Sequence, residues 1–75
     1  MPELPVVSGK EAIEAFAYFG YEEVRQKGSH VRLKCVGRPS ITVPLHSQLK
    51  RGLLRGLIRD AGLTVEQFCE GLDAR

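Results

Sequence analysis

Tryptophan is missing from this 75-residue chain, methionine occurs once and cysteine twice, and no apolar run comes close to the length of a membrane span. There is no internal repeat and no low-complexity tract, which excludes solenoid and fibrous classes. Two cysteines 34 positions apart, Cys35 and Cys69, with no CxxC, argue against a redox or metal role. Both are expected to be reduced, small apolar core residues. Met1-Pro2-Glu3-Leu4-Pro5 has neither the basic start nor the long apolar stretch of a secretory leader, so a cytoplasmic protein is expected. A chain of this length has residues for one modest core, and a single domain over 1–75 is expected.

The most informative absence is local. Between Arg25 and Arg59 there is no acidic residue, while Arg25, Lys27, Arg32, Lys34, Arg38, Lys50, Arg51, Arg55 and Arg59 give that block a charge of +9. Residues 1–24 carry −4 and residues 60–75 carry −3, so the net +2 conceals a strongly divided molecule. Self-repulsion makes such a block unfavourable in a folded domain unless a polyanion or an acidic partner uses it, and a phosphate backbone is the leading candidate. The plainer alternative is a solvated surface with uneven charge.

Periodicity supplies the elements. Ser8-Gly9-Lys10-Glu11 has the S-x-x-E form of a capping box, and Ala12, Ile13, Phe16, Ala17 and Phe19 follow at helical spacing as far as Gly20, which predicts a helix over about 9–19. Tyr21 to Lys27 reads as a first strand. From His30 the chain alternates strictly, with Val31, Leu33 and Cys35 on one face and His30, Arg32 and Lys34 on the other. Gly37-Arg38-Pro39-Ser40 reads as a turn and Ile41-Thr42-Val43 as a third strand ended by Pro44. A second helix is expected within Arg51 to Ala61, with Leu54, Leu57, Ile58 and Ala61 inward and Arg51, Arg55 and Arg59 along one edge. Thr64-Val65-Glu66-Gln67 is a further capping box, opening a short last helix that turns Val65, Phe68, Cys69 and Leu72 to the core. The expected class is α+β, α-β-β-β-α, with a three-stranded antiparallel sheet and helices on one face, the order found in double-stranded-RNA-binding domains.

Histidine at position 30, flanked on its strand face by Arg32 and Lys34, has the makings of a metal-free ribonuclease site. RNA carries its own nucleophile in the 2′-hydroxyl, so general acid–base catalysis and charge stabilisation on the phosphate suffice. Histidine, with an ordinary pKa of about 6.5, moves protons near neutrality, and arginine and lysine hold phosphate. Gly28 allows a positive φ or a close approach, and Ser29 can cap a turn or donate to phosphate. The plainer alternative for His30 is a surface residue bonded to nearby backbone. His46 shares parity with Thr42 and is a candidate accessory proton-transfer group, although a structural or helix-entry role competes with it. No HxxxH pair accompanies the two histidines, and Cys35 falls on the opposite strand face from His30, so neither a zinc site nor a Cys-His dyad is expected.

Three stretches, GSH at 28–30, VPLH at 43–46 and LKRGLLRGLIRDAGLTVEQF at 49–68, resemble the HicA (YcfA-like) family of small toxins from toxin–antitoxin pairs, and the similarity covers nearly the whole chain. Leu53 departs from the family pattern, which often has Thr after that glycine. The resemblance implies a double-stranded-RNA-binding-like fold, cleavage of messenger RNA without metal or cofactor, catalysis by the histidine of G-[ST]-H, here His30, and restraint by a HicB-like antitoxin covering the His30 face. The candidate RNA-contact set comprises Lys27, Ser29, Arg32, Lys34, Lys50, Arg51 and Arg55. Two other classes stay open: a non-catalytic RNA-binding module, and a protein-interaction domain that docks an acidic partner.

Overall fold

Ser8 opens the first helix as its pattern predicts. The Ser8 Oγ accepts from the Glu11 amide and the Glu11 carboxylate accepts from the Ser8 amide, both at 3.0 Å, so two otherwise orphaned donors are satisfied reciprocally. A computed structural model describes residues 3–74 of the chain. The outermost residues of the expected 1–75 domain, and the Met1-Pro2 start weighed as a leader, lie outside the described residues. Helix α1 covers Gly9–Ala17, β1 Glu22–Lys27, β2 His30–Cys35, β3 Arg38–Pro44, α2 Arg51–Asp60 and α3 Val65–Ala74. The α+β class, the antiparallel three-stranded sheet and the element order agree with expectation, with α3 a full helix of ten residues.

The sheet runs β1-β2-β3, and only part of it is covered. Val31, Leu33, Ile41 and Val43 turn inward and join Leu4, Val7, Ala12, Phe16, Leu54, Leu57, Ile58, Phe68 and Leu72 in one core. Phe16 is its centre, 5.2 Å centroid to centroid from Phe68 and 5.7 Å edge-on from Tyr21, the geometry that aromatic quadrupoles favour. The approach of α3 to α1 depends on Gly71, where a Cβ would stand 2.7 Å from the Ala15 carbonyl oxygen. All six residues of β1 are exposed, so this strand overhangs the helical layer as an edge.

Three local differences from the sequence expectation have physical causes. Helix α1 stops at Ala17 and closes through Tyr18 and a turn, with Gly20 at φ +100° releasing the chain into β1. The β2–β3 turn is only Val36-Gly37; β3 starts at Arg38 and takes in Pro39, because the β2–β3 register slips between Leu33 and Cys35 and leaves a bulge where a missing amide is tolerated. The cysteines are half-buried rather than fully enclosed, and the Cys35 thiol lies 3.5 Å from the Phe19 carbonyl.

Thr64 and Gln67 form the second reciprocal capping box, at 2.9 and 3.1 Å. Helix α2 is different. Its N-cap is Lys50, which makes no side-chain cap bond, and Leu53, the departure noted above, occupies the N3 position where a polar side chain could have reached back. The other end of α2 is held by Arg38, whose guanidinium donates to the Ala61 carbonyl at 3.0 Å and lies 3.4 Å from that of Gly62. One member of the basic block therefore neutralises a helix C-terminus.

Candidate nucleic-acid interface

The β1–β2 hairpin decides which side chains meet. Its two-residue turn, Gly28-Ser29, has Gly28 at φ +58°, a conformation that side chains with a Cβ adopt only with strain. Counting outward from that turn, Lys27 pairs with His30, Gln26 with Val31 and Arg25 with Arg32. Because directly opposed residues share a face, Lys27 and Arg25 stand beside His30 and Arg32 on the side of the sheet away from the helices. Between Glu23 and Arg25 the register shifts, and beyond this bulge Glu22 lies opposite Lys34. The open face thus presents Lys27 and His30 at the turn end, Arg25 and Arg32 in the middle, and Lys34 with one acid, Glu22, at the far end. All six are exposed.

Among the described residues, Arg32 is the one strand-face cation with an anchor: one of its guanidinium nitrogens donates to the Thr42 hydroxyl of β3 at 3.2 Å. That bond orients the fork along the face and leaves further N–H groups to solvent. Ser29 lies in the turn with its carbonyl accepting from the Leu45 amide at 2.6 Å, which ties the turn to the segment following β3. The same segment carries His46. Its carbonyl accepts from the Gly9 amide at 2.9 Å while its side chain is exposed, so this stretch is fixed by the start of α1 and the strand register does not extend to it. Gly9 suits that contact, since a Cβ there would collide with the Pro44 carbonyl.

Lys50, Arg51 and Arg55 fall elsewhere. Leu54, Leu57 and Ile58 of α2 pack into the core beneath the sheet, which puts the exposed arginines in the helical layer and not on the open sheet face. Arg51 and Arg55 make no ion pair or hydrogen bond among the described residues, and Arg59 has a marginal one to Asp60 at 3.8 Å between two exposed side chains. The start of α2 follows the strand end at Pro44, which pairs with His30, after a short connection.

Arg25 is the residue that sequence reasoning counted as charge but did not place on the open sheet face, where it stands opposite Arg32. The signal was present: a two-residue turn at Gly28-Ser29 fixes the pairing, and three steps back from the turn lead to Arg32's partner. Among the described residues no group of three or more His, Cys, Asp or Glu side chains comes together as a metal site would require. No helix among them is long and apolar enough to cross a membrane.

Comparison with known families adds the decisive observation. The model for the HicA toxin of bacterial toxin–antitoxin systems matches residues 9–63, from the first residue of α1 to just past α2. The chain belongs to the HicA toxin family. A solved chain from a toxin–antitoxin complex of Streptococcus pneumoniae is similar to this HicA-family chain at 33% identity and a TM-score of 0.67, covering 76% of this chain and 98% of its own length. A search of curated proteins finds no match. The family match spans His30 and every residue of the expected RNA-contact set, so the toxin family and the exposed basic face coincide in the same segment.

Proposed function

We propose that this HicA-family toxin is a metal-independent endoribonuclease that cleaves messenger RNA in the cytoplasm, with His30 as the proton-transfer residue. The observation that carries this is the rung made by Lys27 and His30: an exposed imidazole opposite an ammonium, at the end of an open sheet face that also presents Arg25, Arg32 and Lys34. A phosphodiester laid along that face would put its negative charge among cations and its ribose beside His30.

The chemistry then needs little else. His30 takes the 2′-hydroxyl proton as the 2′-oxygen attacks the adjacent phosphorus; the bond to the 5′-oxygen breaks, and a proton reaches that oxygen from Lys27, from water or from the protonated imidazole. Lys27 offsets the charge that accumulates on the phosphoryl oxygens in the transition state, and Arg32 and Lys34 hold the RNA backbone along the face. The fragments are a 2′,3′-cyclic phosphate and a free 5′-hydroxyl. His46, exposed on the segment held by Gly9, is the accessory candidate for the second transfer. Lys50, Arg51 and Arg55 supply backbone contacts for RNA that continues around the turn end onto α2, where sequence-independent phosphate contacts dominate affinity.

A toxin of this kind requires restraint, and the similarity to a chain from a toxin–antitoxin complex supports a HicB-like antitoxin that covers the His30 face with acidic or apolar groups. End-group analysis of digested RNA tests the chemistry. Cyclic phosphate termini, formed equally well in excess EDTA, are expected; 5′-phosphate termini or loss of cleavage in EDTA would overturn it.

A further inference from the structure

The rung next to His30 on the same face carries two arginines directly opposite each other, Arg25 on β1 and Arg32 on β2. Like charges at opposed positions of an antiparallel pair destabilise a sheet, and nothing on this rung compensates. Glu22, the one acid on the face among the described residues, pairs with Lys34 beyond the bulge. Thr42, on the far side of Arg32, contributes an uncharged hydroxyl. Arg25 is exposed and has no hydrogen-bond or ion-pair partner among the described residues. Two guanidiniums whose Cβ atoms are held about 5 Å apart, one pinned by Thr42 and the other free to swing, can both reach one tetrahedral anion placed above the strands.

We infer that Arg25 and Arg32 form a two-guanidinium clamp for a single backbone phosphate of the RNA, separate from the phosphate that reacts beside His30. The clamp rung lies two residues along the strand from the Lys27–His30 rung, a separation of about 6.7 Å. The clamp therefore holds a phosphate flanking the scissile one and fixes how far along the backbone cleavage occurs from that anchor. Arg25 is a positioning residue: it touches the substrate's backbone but not the reacting atoms. The inference rests on the ribonuclease proposal for the same face, and its tests separate the two.

The first measurement is binding of a 12-nucleotide single-stranded RNA to the uncleaving His30→Ala chain, with Arg25→Gln, Arg32→Gln and both added. Each single change should weaken binding about tenfold or more at low salt, and the double change should lower the log–log salt slope by about 0.7, the worth of the one phosphate they share. The double change should weaken binding by clearly less than the product of the two, because both arginines hold the same anion. The second measurement uses no RNA. Arg25→Gln in the otherwise native chain should raise the melting temperature by about 1–5 °C by removing the like-charge rung. Pyrophosphate at matched ionic strength should stabilise the native chain and not the variant. If RNA binds equally well without Arg25, or the two losses multiply independently, the clamp is wrong and the ribonuclease proposal stands. If the chain binds no RNA but still needs Arg25 for stabilisation by pyrophosphate, the anion site stands and the RNA proposal falls. An unchanged melting temperature together with an unchanged pyrophosphate response would remove the clamp outright.

Discussion

Tyr21, where the chain enters β1, shows what a buried polar side chain does for this fold. Its ring packs edge-on against Phe16 and its hydroxyl donates to the Pro39 carbonyl at 2.7 Å, closing the bulged start of β3 against the core. Burial pushes the Tyr21 pKa above the ordinary tyrosine range and the neighbouring Cys35 adds to the rise, while Arg38 opposes it. A folded-state pKa raised above the unfolded value gives stability that is complete below the ordinary tyrosine pKa of about 10 and is lost as pH climbs through the folded value. Chemical denaturation from pH 7 to 11.5 should show the native chain more stable than Tyr21→Phe by about 1 kcal/mol near neutrality, the worth of one hydrogen bond. That advantage should shrink above pH 10; one that grows with pH would contradict the assignment. His30 is the opposite case. An exposed strand residue with no core contact contributes little to packing, so its replacement tests chemistry without unfolding the protein.

At the scale of elements, strict patterns were legible and irregular ones were not. Ser8–Glu11 and Thr64–Gln67 announce two helix starts because a capping box is a local, sequence-adjacent device. Strand β2 was legible because one of its faces is buried at Val31 and Leu33, which forces alternation. Strand β1 has no buried face, so nothing in its composition reports which side chains look outward. The pairing imposed by the Gly28-Ser29 turn has to be followed residue by residue to find Arg25 beside Arg32. The Pro39 bulge was hidden for a similar reason, since proline within Gly37–Ser40 reads as turn chemistry until the register slip in β3 is seen. For α2 the stripe of arginines was evident, but its direction depended on packing. With Leu54 and Ile58 buried beneath the sheet, Arg51 and Arg55 lie off the open strand face, and under the proposed function they meet RNA only where it wraps around the turn end. Arg51→Ala/Arg55→Ala should therefore weaken RNA binding to a similar degree for different sequences and lower the salt slope by about 1.4, two single-strand contacts, while leaving the cleavage rate at saturating RNA nearly unchanged. An unaltered slope would place the RNA wholly on the strand face.

The whole molecule is a small core with a divided charge. Its acidic residues lie mainly in α1, α3 and the first half of β1, and the +9 block occupies the hairpin, β3 and α2. This arrangement suits a polyanion, and it equally suits an acidic protein that competes for the same face. A HicB-like antitoxin should associate quickly at low salt, with an association rate that falls steeply as salt is added, and the purified complex should be inactive on RNA. A complex that cleaves RNA as fast as the free chain would show that the partner binds away from His30. The central claim, that the basic strand face of this HicA-family chain is a ribonuclease site built around one histidine, is tested most directly by incubating a long RNA with the purified native chain and with His30→Ala at equal folded concentration. Transfer of a proton by a positioned side chain contributes about 10²–10⁴-fold, so the native chain should fragment the RNA and His30→Ala should be slower by at least about 100-fold, with an unchanged melting temperature and undiminished RNA binding. Cleavage by His30→Ala at the native rate would contradict it.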